Sequence, residues 1–279
     1  MRPPEQPATW QVEADADDAT AAAVFATDRL WNGYSLADLA PPLRAFTTVA
    51  VACQHDAHAS AAACLFYRHP SFNSLIPHGA AAGIAAILAQ ANTAGALPQE
   101  TFALAQAEQL AALARWYDFL DGRHEMLRMA VDAGTFRAPA ERLARVERLG
   151  AADLEALRDL YAAYPESAFT ADQLQLGVFY GVHDGAALVA AGGTHVVAPR
   201  YAIAAVGNVF TRPAARGHGY ARAITAAVTA ELLTTTCRDI ILNVAVENAA
   251  ALHVYASLGF HPHCRYWEGR ARLRRGASR

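Results

Sequence analysis

Between Val206 and Leu232 the chain passes from an apolar stretch, Val206 to Thr211, through a turn with two glycines, Arg212-Pro213-Ala214-Ala215-Arg216-Gly217-His218-Gly219. It then enters a run with Ile224, Val228 and Leu232 on one helical face. The pattern predicts a strand, a loop and a helix from about Tyr220 to Thr234, and commits this part of the chain to an α/β architecture. A loop of this composition aims several backbone N–H groups at one point beside the positive end of a helix dipole. With no side chains on Gly217 and Gly219, a ligand can approach closely. It is a seat for a diphosphate.

The 279-residue sequence as a whole predicts two domains, 1–138 and 139–279, parted at the Gly134 and Pro139 segment. Apolar residues make up 54% and charged residues 18%, which places the chain among folded globular proteins. A net charge of −3 gives no global pull toward nucleic acid or anionic lipid, so small molecules are the expected partners, with no nucleic acid and no membrane. All 23 basic residues are arginine, so the chain has no lysine of its own to acylate. Cys53, Cys64, Cys237 and Cys264 lack metal-type or redox-type spacing and read as reduced thiols of a cytoplasmic protein. The start of the chain lacks the apolar run of a secretory signal, and the uncharged stretch near Gly79 to Gln99 carries Gln90, Asn92, three glycines and Pro98, which argues against a span.

In the first half, strands are expected over 43–53, 59–67, 73–76, 101–105 and 125–131. Helices are expected over 19–39, in two pieces, and over 80–90 and 107–120. In the second half, strands are expected over 145–149, 178–182, 187–197, 201–211, 239–246 and 265–273. Helices are expected over 153–164 and 249–258, with a further short one capped by Thr170 and Gln173. The order is β, α, α, β, β, β, α, β, α, β.

With its motifs, that order resembles the GNAT superfamily of acyl-CoA-dependent N-acetyltransferases, over roughly Glu141 to Leu273. Ala214-Ala215-Arg216-Gly217-His218-Gly219 is similar to the family's Q/R-x-x-G-x-G/A loop, with Ala214 where the family has Gln or Arg. Asn248, Ala251, Tyr255 and Gly259-Phe260 match its N-x-x-A-x-x-x-Y-x-x-x-G-F pattern. The first half resembles a degenerate copy of the same plan. Its equivalent turn, Pro77-His78-Gly79-Ala80-Ala81-Ala82-Gly83, has the wrong glycine spacing for a second diphosphate seat.

The resemblance implies a tandem GNAT fold, acetyl-CoA as co-substrate, and direct attack of a primary amine, on a small molecule or a peptide, upon the thioester. On this reading the cofactor is held by Val209, Phe210, Thr211, Arg216, Gly217, His218, Gly219, Tyr220, Ala221, Arg222 and Asn248. A backbone N–H near Val209 serves the thioester oxygen, and Tyr255 and Asn248 serve the chemistry. Phe210 also reads as core, Asn248 also reads as a helix N-cap, and Tyr255 also reads as a core tyrosine on the Leu252 and Leu258 stripe. For the proton acceptor the sequence leaves Glu166, Glu247, His195 and Tyr180 open, with Asn208 as a residue that could position a water. A non-catalytic acyl-CoA-binding module is the alternative function, and a homodimer is allowed. His261, His263 and Cys264 read as a loop in preference to a metal site. The basic run Arg270, Arg272, Arg274, Arg275 and Arg279 reads as a solvated strand end, with contact to a cofactor phosphate as the other possibility.

Overall fold

The computed structural model describes residues 9–54, 61–70, 72–139, 146–164 and 167–275. The chain divides into two compact units, unit 1 being 1–126 with 265–279 and unit 2 being 127–264. The sequence places a single boundary near residue 138. Two strands account for the difference, because each ends up away from the segment it follows in sequence. From Leu127 onward the strand β7, His124–Val131, belongs to unit 2, and from Arg265 onward the last strand, β13, His261–Leu273, belongs to unit 1.

Unit 1 is built from β1 (Trp10–Glu13), α1 (Asp18–Phe25), α2 (Gly33–Asp38), β2 (Thr47–Gln54), β3 (Ala61–His69) and β4 (Phe72–Gly79). Then follow α3 (Ala81–Thr93), β5 (Glu100–Ala105), α4 (Ala107–Ala114) and β6 (Tyr117–Phe119). β1 to β4 form an antiparallel ladder, β5 runs parallel to β4, and β13 runs antiparallel to β5. Ala-rich strand interiors such as Ala52, Ala62, Ala103 and Ala105 are fully buried, and they let α3 pack Ile84, Ile87 and Leu88 closely onto the sheet. The helix expected over 107–120 stops at Ala114. Tyr117 is drawn into the core, donates to the Pro98 carbonyl at 3.0 Å, and starts β6 against β13. Aromatic residues at 116, 117 and 119 favour this pleated arrangement over a helix.

Unit 2 repeats the plan with β8 (Glu147–Arg148), α5 (Leu154–Ala162), α6 (Ala171–Leu176), β9 (Phe179–Asp184), β10 (Ala187–Ala198) and β11 (Ile203–Thr211). These are followed by α7 (Tyr220–Leu233), β12 (Asp239–Ala245) and α8 (Ala249–Ser257). β8 to β11 are antiparallel, β12 is parallel to β11, and β7 lies beyond β12. One core lies between the sheet and α7 and α8, around Val206, Ile224, Val228, Leu232, Ile240 and Leu258. A second lies under α5 and α6, around Leu157, Leu160, Phe179 and Leu188. The β9–β10 hairpin turns at Asp184-Gly185, and Thr170 with Gln173 forms the expected capping box of α6.

Element for element the two units follow the same order, β, α, α, β, β, β, α, β, α, with β6 as an addition in unit 1. This is the tandem arrangement of one mixed α/β fold that the sequence predicts.

Candidate active site

In unit 2, β11 and β12 keep parallel register only from Ile203↔Asp239 to Val206↔Leu242. Past Val206, β11 runs on alone toward its C-terminal end. On its other side, β10 matches Gly193 to Gly207 and Ala191 to Phe210, so Asn208 and Val209 together face the single residue Gly192. This is a β-bulge, and neither Asn208 nor Val209 has a ladder partner on β10 or β12. Asn208 sits at φ 54°, a left-handed conformation that Asn adopts more readily than most residues.

Three elements hold the bulge. Tyr161 of α5 donates its hydroxyl to the Asn208 carbonyl at 2.5 Å. The Asn208 side chain donates to Gln173 Oε1 of α6 at 3.0 Å. The His195 ring of β10 hydrogen-bonds the Asn208 side chain and lies where a Cβ on Gly207 would stand. Burial lowers His195 to about 4, with the Asn208 bond opposing that shift, so the ring is neutral near pH 7. Burial also raises the Tyr161 hydroxyl, which stays protonated and able to donate. Val209 points its side chain the other way, toward Ile224 of α7, and the absence of a side chain on Gly192 makes the room.

Beyond Thr211, the segment Arg212–Gly219 leads into α7. Arg212 anchors the start of this loop, its guanidinium bonding Asp159 at 2.6 Å and the Leu188 carbonyl at 3.3 Å. Arg216 donates Nε to the Thr211 carbonyl at 3.3 Å. Gly217 and Gly219 take φ values of 84° and 74°, and Gly219 is the N-cap residue of α7. The first intrahelical bond is Ala223 N–H to the Gly219 carbonyl, which leaves the N–H groups of Tyr220, Ala221 and Arg222 as the open first turn. Gly217, His218 and Gly219 are exposed, and a Cβ added at either glycine would meet nothing within 4 Å. His218 stacks on Tyr220 with ring centroids 5.5 Å apart.

Unit 1 has no such glycine loop at the corresponding place. β4 ends at Gly79 and α3 begins at Ala81, and the one intervening N–H, that of Ala80, is spent on the Ala61 carbonyl at 3.4 Å. β4 pairs with β5 at Ser74 and Leu75, and farther along β4 the Trp31 indole donates to the Pro77 carbonyl at 3.4 Å.

The other sequence-selected residues fall as follows. Asn248 caps α8, accepting from Ala251 N–H at 3.1 Å, and is exposed. Tyr255 is 8% exposed on α8, and burial pushes its hydroxyl up to about 12, with Tyr164 adding to the rise. Tyr164 lies flat on Phe210, 5.1 Å between centroids and 3° between planes. Phe210 is thus both part of the α5–α6 packing and half exposed at the end of β11. Tyr180 is committed elsewhere, donating to Glu231 at 2.8 Å, and Glu247 is exposed in the turn before α8. Glu166 lies outside the described residues. His261, His263 and Cys264 sit on β13 as strand residues, a correction to the loop expected there. The basic run is paired within unit 1: Arg270 with Asp121, Arg272 with Glu100 and Arg274 with Asp118, while Arg279 is outside the described residues. No helix among the described residues is long and apolar enough to cross a membrane.

Sequence reasoning did not find Tyr161 and Gln173, nor the bulge itself. The available signal was a polar residue, Asn208, next to a glycine inside an otherwise apolar strand.

A search of curated proteins finds no match for this chain. Among solved structures, a GCN5-related N-acetyltransferase from Sphaerobacter thermophilus is similar at 18% identity, a TM-score of 0.60, and 96% coverage of each chain. A putative GNAT-family acetyltransferase from Novosphingobium aromaticivorans is 21% identical, with a TM-score of 0.53 over 72% of this chain and 84% of that one. A tandem GNAT protein from the clavulanic acid biosynthesis pathway is 16% identical, with a TM-score of 0.53 over 95% and 98% of the two chains. At these identities the likeness is one of fold. The model of the acetyltransferase (GNAT) family matches residues 146–260, which span the bulged strand, the glycine loop and the α8 motif. Residues 146–260 of this chain therefore form a domain of the GNAT acetyltransferase family.

Proposed function

We propose that this chain transfers an acetyl group from acetyl-CoA to a primary amine, on a small molecule or a peptide, by direct attack. The observation that carries the reading is the joining of two features on one strand. β11 ends in an unpaired, bulged edge, and a loop with open amides follows it directly. The open N–H groups from Gly217 to Arg222 suit a diphosphate, and the Arg216 guanidinium adds charge beside them. The free edge of β11 suits an extended pantetheine arm, which would pair with it as an added strand does.

The co-substrate supplies the acetyl thioester. The chain's part begins with the Val209 N–H, which in this reading donates to the thioester oxygen as negative charge develops there. A donor in that role is worth about 3 kcal/mol in comparable sites. The amine nitrogen bonds to the acetyl carbon, the carbon–sulfur bond breaks, and over the cycle one amine proton is lost and sulfur gains one. With its hydroxyl near 12, Tyr255 is too weak an acid to hand its proton outright to a thiolate whose own value is about 8.5. Its role is to steady the developing thiolate by a hydrogen bond while the net proton comes from the amine.

The test is release of free thiol from acetyl-CoA across a panel of amines. Turnover with at least one amine supports transfer. Tight acetyl-CoA binding with no thiol release for any amine would instead identify a binding module. Tyr255→Phe should lower turnover while leaving cofactor affinity in place.

A further inference from the structure

We infer that Asn208 and Tyr161 are positioning residues whose joint task is to hold the bulge of β11 so that the Val209 amide meets the thioester carbonyl. This rests on the acetyl-CoA reading of the site. Asn208 is 7% exposed, lies in the strand that leaves its parallel partner two residues earlier, and adopts a left-handed backbone. It is bonded from three directions: at its carbonyl by Tyr161, and at its side chain by Gln173 and His195. A bulge kept only for strand curvature would not need its one carbonyl gripped by a buried hydroxyl from a helix 47 positions away in sequence. Fixing the carbonyl of Asn208 fixes the peptide plane it shares with the N–H of Val209, because the peptide unit is planar. Through that shared plane, Tyr161 sets the aim of the donor. The ionisable groups facing the clamp are Tyr161 itself, Tyr164 and His195.

The test needs no acceptor. Calorimetry on the full chain compares acetyl-CoA with CoA, which lacks the thioester oxygen. Wild type is expected to prefer acetyl-CoA about twofold to tenfold, the worth of one hydrogen bond. In Tyr161→Phe and Asn208→Gly the preference should fall to about one, with CoA affinity itself unchanged. Gly keeps the left-handed backbone open, so Asn208→Ala should be less stable than Asn208→Gly, the reverse of their usual order in strands, with the preference at about one in both. In the infrared, the carbonyl stretch of acetyl-CoA carrying a labelled carbonyl carbon should shift to lower frequency on binding wild type and less on binding either variant. Folded variants that keep the wild-type preference and the wild-type stretch would overturn the inference while leaving the acetyl-CoA reading intact. Absence of CoA binding by wild type would overturn both.

Discussion

Consider Gly219→Ala. Gly219 caps α7 at φ 74°, and an added methyl would meet nothing within 4 Å, so the cost is purely that of the left-handed backbone. That cost is about 1–2 kcal/mol for a residue bearing a Cβ. Where it shows depends on what holds the loop. Gly217, His218 and Gly219 are exposed, and the bonds that fasten the turn, Ala215 N–H to Arg212 and Arg216 N–H to Pro213, lie before them. The free protein can relax Gly219→Ala to negative φ by fraying one turn of α7, so its melting point should drop little. A ligand that needs the amides from 217 to 222 must restore the original conformation and bear that cost on binding. Calorimetry should show CoA affinity weaker by about 5- to 30-fold, which is the same 1–2 kcal/mol. Gly185→Ala is the control, with φ 59° and open space around it, but with paired strands fastening both sides of the turn. There the cost should appear as a melting point lower by about 2–6 °C with CoA affinity unchanged. If Gly219→Ala behaved like Gly185→Ala, with lower stability and full affinity, the loop would not be the seat.

Other consequences follow from the same structure. Rate profiles for thiol release should show no loss from Tyr255 ionisation up to about pH 10, because burial holds its hydroxyl near 12. Asp38, buried with its carboxyl raised to about 7, opposes folding once it ionises. Asp38→Asn should therefore raise stability at pH 8 by a few kcal/mol and give no gain at pH 4, as followed by denaturant titration. His195 has the opposite sign, since its depressed value means the unfolded chain takes up a proton first. Stability is full above about 6.5 and falls toward pH 4, and His195→Gln should flatten that slope. Glu231→Gln breaks the ion pair with Arg148 at 3.0 Å while keeping a partner for Tyr180. With the Arg148 and Glu231 side chains 40% and 30% exposed, thermal melts should show a loss of no more than about 1 kcal/mol.

What the sequence revealed and what it hid divide along physical lines. The glycine pair at 217 and 219 was legible because a positive φ at a strand-to-helix turn has few solutions other than glycine. The α8 motif was legible too, and Asn248 shows why a motif residue carries two readings: it caps the helix, as any Asn there would. The bulge was not legible, because it is a matter of cross-strand register between β10 and β11, and nothing local in Gly207-Asn208-Val209 states how many residues face Gly192. The domain limits were hidden for a similar reason, since a strand belongs with the neighbours it pairs with and β13 pairs with β5, 160 or more positions earlier. The helix expected over 107–120 failed where burial of Tyr117 outweighed a continuing helical pattern.

The most direct measurement is a calorimetric titration of the full chain with acetyl-CoA. Among the described residues, unit 2 leads from a splayed, bulged strand through a loop with two exposed glycines into its helix, whereas unit 1 passes from β4 to α3 through the single residue Ala80. The account predicts uptake of one equivalent, abolished or strongly weakened by a Gly217→Ala, Gly219→Ala double substitution. No uptake, or two equal equivalents, would contradict it.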